Sequence, residues 1–88
     1  MKIKQGYKVR DIAGENVVIM QGKLGADMTR IITFNDSALL LWNELLDKDF
    51  ELEDAVRILT SNYDVAADVA ERDARAWIGR LEECHLLE

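Results

Sequence analysis

Apolar residues fall in short strand-like runs over the first third of the chain and at helical spacing afterwards. From Tyr7 to Ile12, Tyr7, Val9 and Asp11 alternate with Lys8, Arg10 and Ile12, which predicts a first strand. Ala13-Gly14-Glu15-Asn16 reads as a turn, because glycine and asparagine tolerate positive φ. Val17 to Met20 is a continuous β-rich run and predicts a second strand. Gln21 to Asp27, with Gly22 and Gly25, reads as a connection, and Met28 to Phe34 as a third strand. These spacings fit an antiparallel meander. If neighbours in sequence pair, the third strand is an edge, with unpaired N–H and C=O groups able to accept another backbone.

The run Val17-Val18-Ile19-Met20, together with Ile31-Ile32, puts apolar groups on both faces of the sheet. Three helical patterns follow and can cover one face. The first spans Asp36 to Asp47, with Asn35 as N-cap and Asp36 at the positive end of the helix dipole. Its stripe is Ala38, Leu39, Leu41, Trp42, Leu45 and Leu46. The second spans Leu52 to Asn62, with a stripe of Leu52, Ala55, Val56, Leu59 and Tyr63. The third spans Ala67 to Cys84, with Ala70, Ala74, Trp77, Leu81 and Cys84 inward and Ile78 at the margin. Three strands followed by three helices predict an α+β, winged-helix-like domain with the helices on one side.

At 88 residues, one domain covering 1–88 is expected. No apolar run reaches the roughly 18 residues of a membrane span, and the N-terminal residues lack a signal-peptide core. A single cysteine excludes an internal disulfide, so a cytoplasmic location is expected. Net charge is −6 and unevenly spread. Residues 1–30 carry six basic and three acidic side chains; residues 31–88 carry five and fourteen. The acidic helical part would repel nucleic-acid phosphates, whose neutralisation supplies most non-specific DNA affinity.

Little in the chain supports catalysis. Cys84-His85 is the one pair with nucleophile or metal character, and a structural zinc site needs four ligands. Glu82 and Glu83 diverge on a helix and read as a solvated face. No GxGxxG, GxxxxGK[ST] or GxSxG pattern occurs. Trp42 and Trp77 sit at stripe positions and read as core; Asn35-Asp36-Ser37 reads as a helix start. No enzyme activity, cofactor or metal is expected.

Several segments resemble the PqqD family, the peptide-recognition domain of ribosomal natural-product pathways. Carriers of the resemblance are Phe34-Asn35-Asp36-Ser37-Ala38, Trp42 with Leu45-Leu46, Leu52-Glu53-Asp54-Ala55-Val56, Asn62-Tyr63-Asp64-Val65, and Asp73 with Trp77-Ile78, Leu81 and Leu86-Leu87. It covers about Tyr7 to Glu88. His85 stands where the family usually has glycine, Lys48-Asp49 replaces a usual Asp-Gly turn, and a proline segment before the third strand is absent. These departures argue against pyrroloquinoline quinone itself as the pathway product and leave the peptide-recognition reading in place.

The resemblance implies a non-catalytic protein that binds the leader part of a precursor peptide. The peptide would add as a strand to strand three, beside helix three, and be presented to a modifying enzyme of the radical S-adenosylmethionine type. Helical arithmetic at 100° per residue puts Val69, Asp73, Ala76 and Arg80 on one flank of the third helix. With Thr29, Ile31 and Thr33 of strand three, these are the expected peptide-binding residues. Two other readings share the fold class: a winged-helix DNA-binding regulator, and a structural dimerisation module forming a homodimer through the exposed sheet face.

Overall fold

The computed structural model describes residues 1–20 and 30–88. Three strands precede three helices: β1 (Val9–Ile12), β2 (Glu15–Met20), β3 (Arg30–Phe34), α1 (Asp36–Leu45), α2 (Leu52–Asn62) and α3 (Ala67–Glu83). The sheet is antiparallel in the order β1-β2-β3, so among the described residues β3 is an edge. This is the expected α+β architecture. The first strand is shorter than expected, starting at Val9 instead of Tyr7. The expected third-strand residues Met28 and Thr29 lie outside the described residues.

The β1–β2 hairpin closes on two residues, because Ile12 pairs with Glu15. Ala13 (φ 54°) and Gly14 (φ 85°) both take the left-handed conformation that a tight, correctly twisted hairpin needs. The Asp11 carboxylate accepts the Gly14 N–H at 3.1 Å and fixes the corner. Glu15 and Asn16 are therefore strand residues, not turn residues.

Register decides which side chains enter the core. Val9, Val18 and Ile32 stand opposite one another and pack on the helices. Arg10, Val17 and Thr33 form the adjacent row on the outer face. Ile19 and Ile31 pair on that same outer face, where Ile31 is 60% exposed.

Each helix has a local reason to start or stop. Asn35 is extended, and its side-chain oxygen accepts the Ala38 N–H at 2.9 Å. Ser37 Oγ donates to the same oxygen at 3.0 Å. After α1, Asp47 takes the left-handed position (φ 64°) without a glycine. At the start of α2, the Asp54 carboxylate accepts the Glu51 N–H at 2.8 Å and pairs with Arg57. At the end of α3, His85 is left-handed (φ 57°). Leu86 N–H donates to Leu81 O at 2.9 Å and His85 N–H to Glu82 O at 3.0 Å. This is the double hydrogen bond of a Schellman cap, formed on histidine in place of glycine.

Among the described residues the buried apolar side chains, apart from Val17 on the outer face, form one cluster under the sheet. Leu41, Trp42 and Leu45 come from α1, Ala55 and Leu59 from α2, and Ala70, Ala74, Trp77, Ile78 and Leu81 from α3. Three members lie outside the expected runs and stripes: Ile3, Phe50 and Leu86, the last buried just past the end of α3. Phe50 is buried in the α1–α2 connection. Ile3 is buried where the N-terminal segment bridges Leu87. That segment is held by Lys4 N–H to Leu86 O (2.7 Å) and Glu88 N–H to Lys2 O (2.8 Å). In the other direction, Tyr63 is 38% exposed because it is the extended residue that ends α2. Cys84 is half-buried, at the cap of α3.

A cleft between the end of β3 and helix α3

A cleft of about 640 Å³ runs between the C-terminal end of β3 and α3. Its floor is apolar: Phe34, Leu41, Leu59 and Trp77. Two tilted aromatic contacts back that floor. The Phe34 and Trp42 rings are 5.5 Å apart, and those of Phe50 and Trp77 are 6.1 Å apart. Such pairs stabilise beyond the area they bury. The walls are polar. Asp73, Ala76 and Arg80 come from α3, Asn35, Asp36 and Ser37 from the start of α1, and Glu15 and Asn16 from β2.

Four of the expected peptide-binding residues, Thr33, Asp73, Ala76 and Arg80, meet in this cleft. The i, i+3, i+7 spacing on α3 accounts for three of them. Ile31 and Val69 are not among its lining. Ile31 faces out from the sheet, and toward the start of α3 the wall passes to Ala70. Thr29 lies outside the described residues.

Sequence reading missed the residues that double as core or cap. Phe34 and Trp77 belong to the apolar cluster and still line the cleft. Asn35 caps α1, Ser37 donates to the Asn35 side-chain oxygen, and both also form a wall. The available signal was the junction itself: a helix N-cap directly after an edge strand places cap side chains beside the strand end.

The cleft carries three carboxylates, Glu15, Asp36 and Asp73, against one cation, Arg80. None of these four makes an ion pair among the described residues. Trp77 is 5% exposed, and its buried indole N–H has no acceptor there. Buried tryptophan N–H groups usually find one. No group of three or more His, Cys, Asp or Glu able to hold a metal occurs among the described residues. No helix among them is long and apolar enough to cross a membrane.

The edge is the second component of the site. β3 pairs with β2 along one side. Among the described residues no strand lies on its other side. An extended chain could therefore hydrogen-bond to β3 and set alternate side chains toward the cleft.

Comparison with known proteins bears on this geometry. The family described as Coenzyme PQQ synthesis protein D (PqqD) matches residues 15–87. The solved structure described as TbiB1 in complex with the TbiA(beta) leader peptide is similar, with a TM-score of 0.72 and 24% identity. The match covers 100% of this chain and 95% of that one, and it shows a common fold. No curated protein matches.

Proposed function

The chain belongs to the PqqD family, and on that premise we propose that it is a non-catalytic binding protein for the leader part of a precursor peptide. The peptide adds as a strand to the open edge of β3 and lays side chains into the cleft against α3. Backbone hydrogen bonds supply affinity, and the cleft walls supply specificity. The observation that carries this reading is the side of β3 left unpaired among the described residues, next to an apolar-floored cleft. Thr33, Asp73, Ala76 and Arg80 contact the peptide directly, and Ile31 and Val69 flank the contact.

Bound in this way, the peptide is held for a modifying enzyme, of the radical S-adenosylmethionine type. Tethering raises the local substrate concentration without any chemistry in the carrier. The acidic helical layer argues against DNA as the partner.

Titration with a candidate leader peptide, taken from any short precursor-like reading frame found next to this gene, tests the reading. Amide shifts are expected to concentrate in β3 and in α3 from Asp73 to Arg80. Silence in both elements at saturating peptide would sink the proposal. Because the same open edge could pair with a second copy, sedimentation at several concentrations, with and without peptide, separates self-pairing from peptide pairing.

A further inference from the structure

At the end of the cleft, past the last residue of β3, a smaller pocket of about 360 Å³ opens between the start of α1 and the α2–α3 junction. We propose that this pocket takes a lysine or arginine side chain of the docked peptide. The inference rests on the peptide-binding reading above and adds the chemistry of one peptide position.

The pocket has two kinds of lining. Leu59, Tyr63 and Val65 make an apolar wall, and Tyr63 and Val65 are each 38% exposed. They account for two of the four large apolar side chains left exposed among the described residues. Asp36 and Asp73 supply carboxylates, and no cation lines the pocket. Arg80 lines the wider cleft but not this end. Neither carboxylate has an ion-pair partner among the described residues.

An aliphatic stem ending in a positive charge matches that lining. Lysine and arginine bury their methylenes along apolar surface while the head group stays at a polar rim. A cation over the Tyr63 ring gains further attraction. The two carboxylates are not equivalent. Asp36 sits in the first turn of α1, where the helix dipole already offsets its charge. Asp73 lies inside α3, beyond the reach of either helix end, and carries most of the recognition. An apolar side chain would leave both carboxylates unpaired, and an acidic one would be repelled by them.

Since the pocket lies beyond Phe34, the basic residue falls just outside the segment paired with β3. Selection from an unbiased peptide-display library on the full chain tests this. Enrichment of strand-forming peptides with Lys or Arg at one fixed position flanking the extended segment is expected. In a selected peptide, replacing that lysine by norleucine should weaken binding roughly two- to five-fold, the size of a partly exposed ion pair. Asp73→Asn should cause the same loss, and the two changes together should cost no more than either alone. The difference should shrink at high salt. Asp73 is exposed and makes no ion pair among the described residues, so Asp73→Asn is expected to fold normally; Asp36→Asn provides a second variant with a smaller effect.

Enrichment of extended peptides with no basic position would overturn this inference and leave the peptide-binding reading intact. Equal loss from norleucine in wild type and Asp73→Asn would overturn it as well. A library that yields no binder would remove the peptide-binding reading and this inference together.

Discussion

Amide exchange along β3 offers a direct reading of whether its edge is open. Antiparallel pairing turns the N–H and C=O of every second residue toward the neighbouring strand and the others away from it. About half of the five amides of Arg30–Phe34 therefore point away from β2. In the free protein these should exchange close to the rate of an unstructured chain, while the alternate amides are held by the ladder. The perturbation is saturation with leader peptide. A ligand at about 100 times its Kd stabilises the bound form by about 2.7 kcal/mol, a factor of about 100 in the open population. The outward amides of β3 should slow by about that factor, because each acquires a carbonyl acceptor on the peptide. Hydrogen–deuterium exchange read residue by residue by NMR resolves the alternation. Uniform protection across β3 in the free protein would show the edge already occupied. Unchanged exchange of the outward amides under saturating peptide would show docking without strand addition. Either result refutes the mechanism.

Three further outcomes test the scaffold that presents this edge. His85→Gly should stabilise the protein by about 0.5–1 kcal/mol in urea melts, since a left-handed histidine costs about 1–2 kcal/mol and the added unfolded-state freedom of glycine offsets only part of that. Leu81→Ala should cost about 2–5 kcal/mol with an unchanged m-value, because Leu81 is fully buried in the cluster beneath the cleft. The Glu51 N–H, with Arg57 beside it, holds the Asp54 carboxyl below the ordinary aspartate range. Its contribution is present above that ordinary range and fades as pH falls through the lower folded value. The stability gap between wild type and Asp54→Asn should therefore close as melts are taken from neutral to acid pH, and a gap that widens in acid would contradict the assignment.

The helices were the most legible part of the chain. Their spacing is written in residues three and four apart, and Asn35 and Asp54 mark two of the starts with side chains that do the capping. The meander was legible for a similar reason, because Gly14 and the short apolar runs around it leave few alternatives. What escaped was contact between distant segments. Ile3 stands between two lysines and gives no local pattern; it is buried only because the C-terminal Leu87 comes back to meet it. Phe50 lies in a connection and fills the core against Trp77 from outside any helix stripe. Tyr63 matches the α2 stripe by count, yet the helix ends there and its ring turns out toward the pocket.

The lining of the cleft was more legible on α3, which supplies Asp73, Ala76 and Arg80, than on β3, where Thr33 lines it and Ile31 does not, and the reason lies in how a strand edge works. On a helix the side chains define the flank, so counting from Asp73 to Ala76 and Arg80 finds residues that share the cleft. On a strand, side chains stand above and below the sheet while the hydrogen-bonding groups point sideways. Choosing alternate residues selects a face, and the face holding Ile31 looks away from the helices. The edge itself consists of N–H and C=O groups that almost any residue provides, so side-chain identity carries no mark of it. The same division extends to function. On the proposed docking, affinity drawn from the backbone of β3 would survive many substitutions along that strand, whereas the choice among peptides would rest on the few cleft residues whose side chains reach the incoming chain. Substitutions at Asp73 and Arg80 should therefore change which peptides bind more than how tightly extended peptides bind as a class, while a block to the β3 edge should weaken them all.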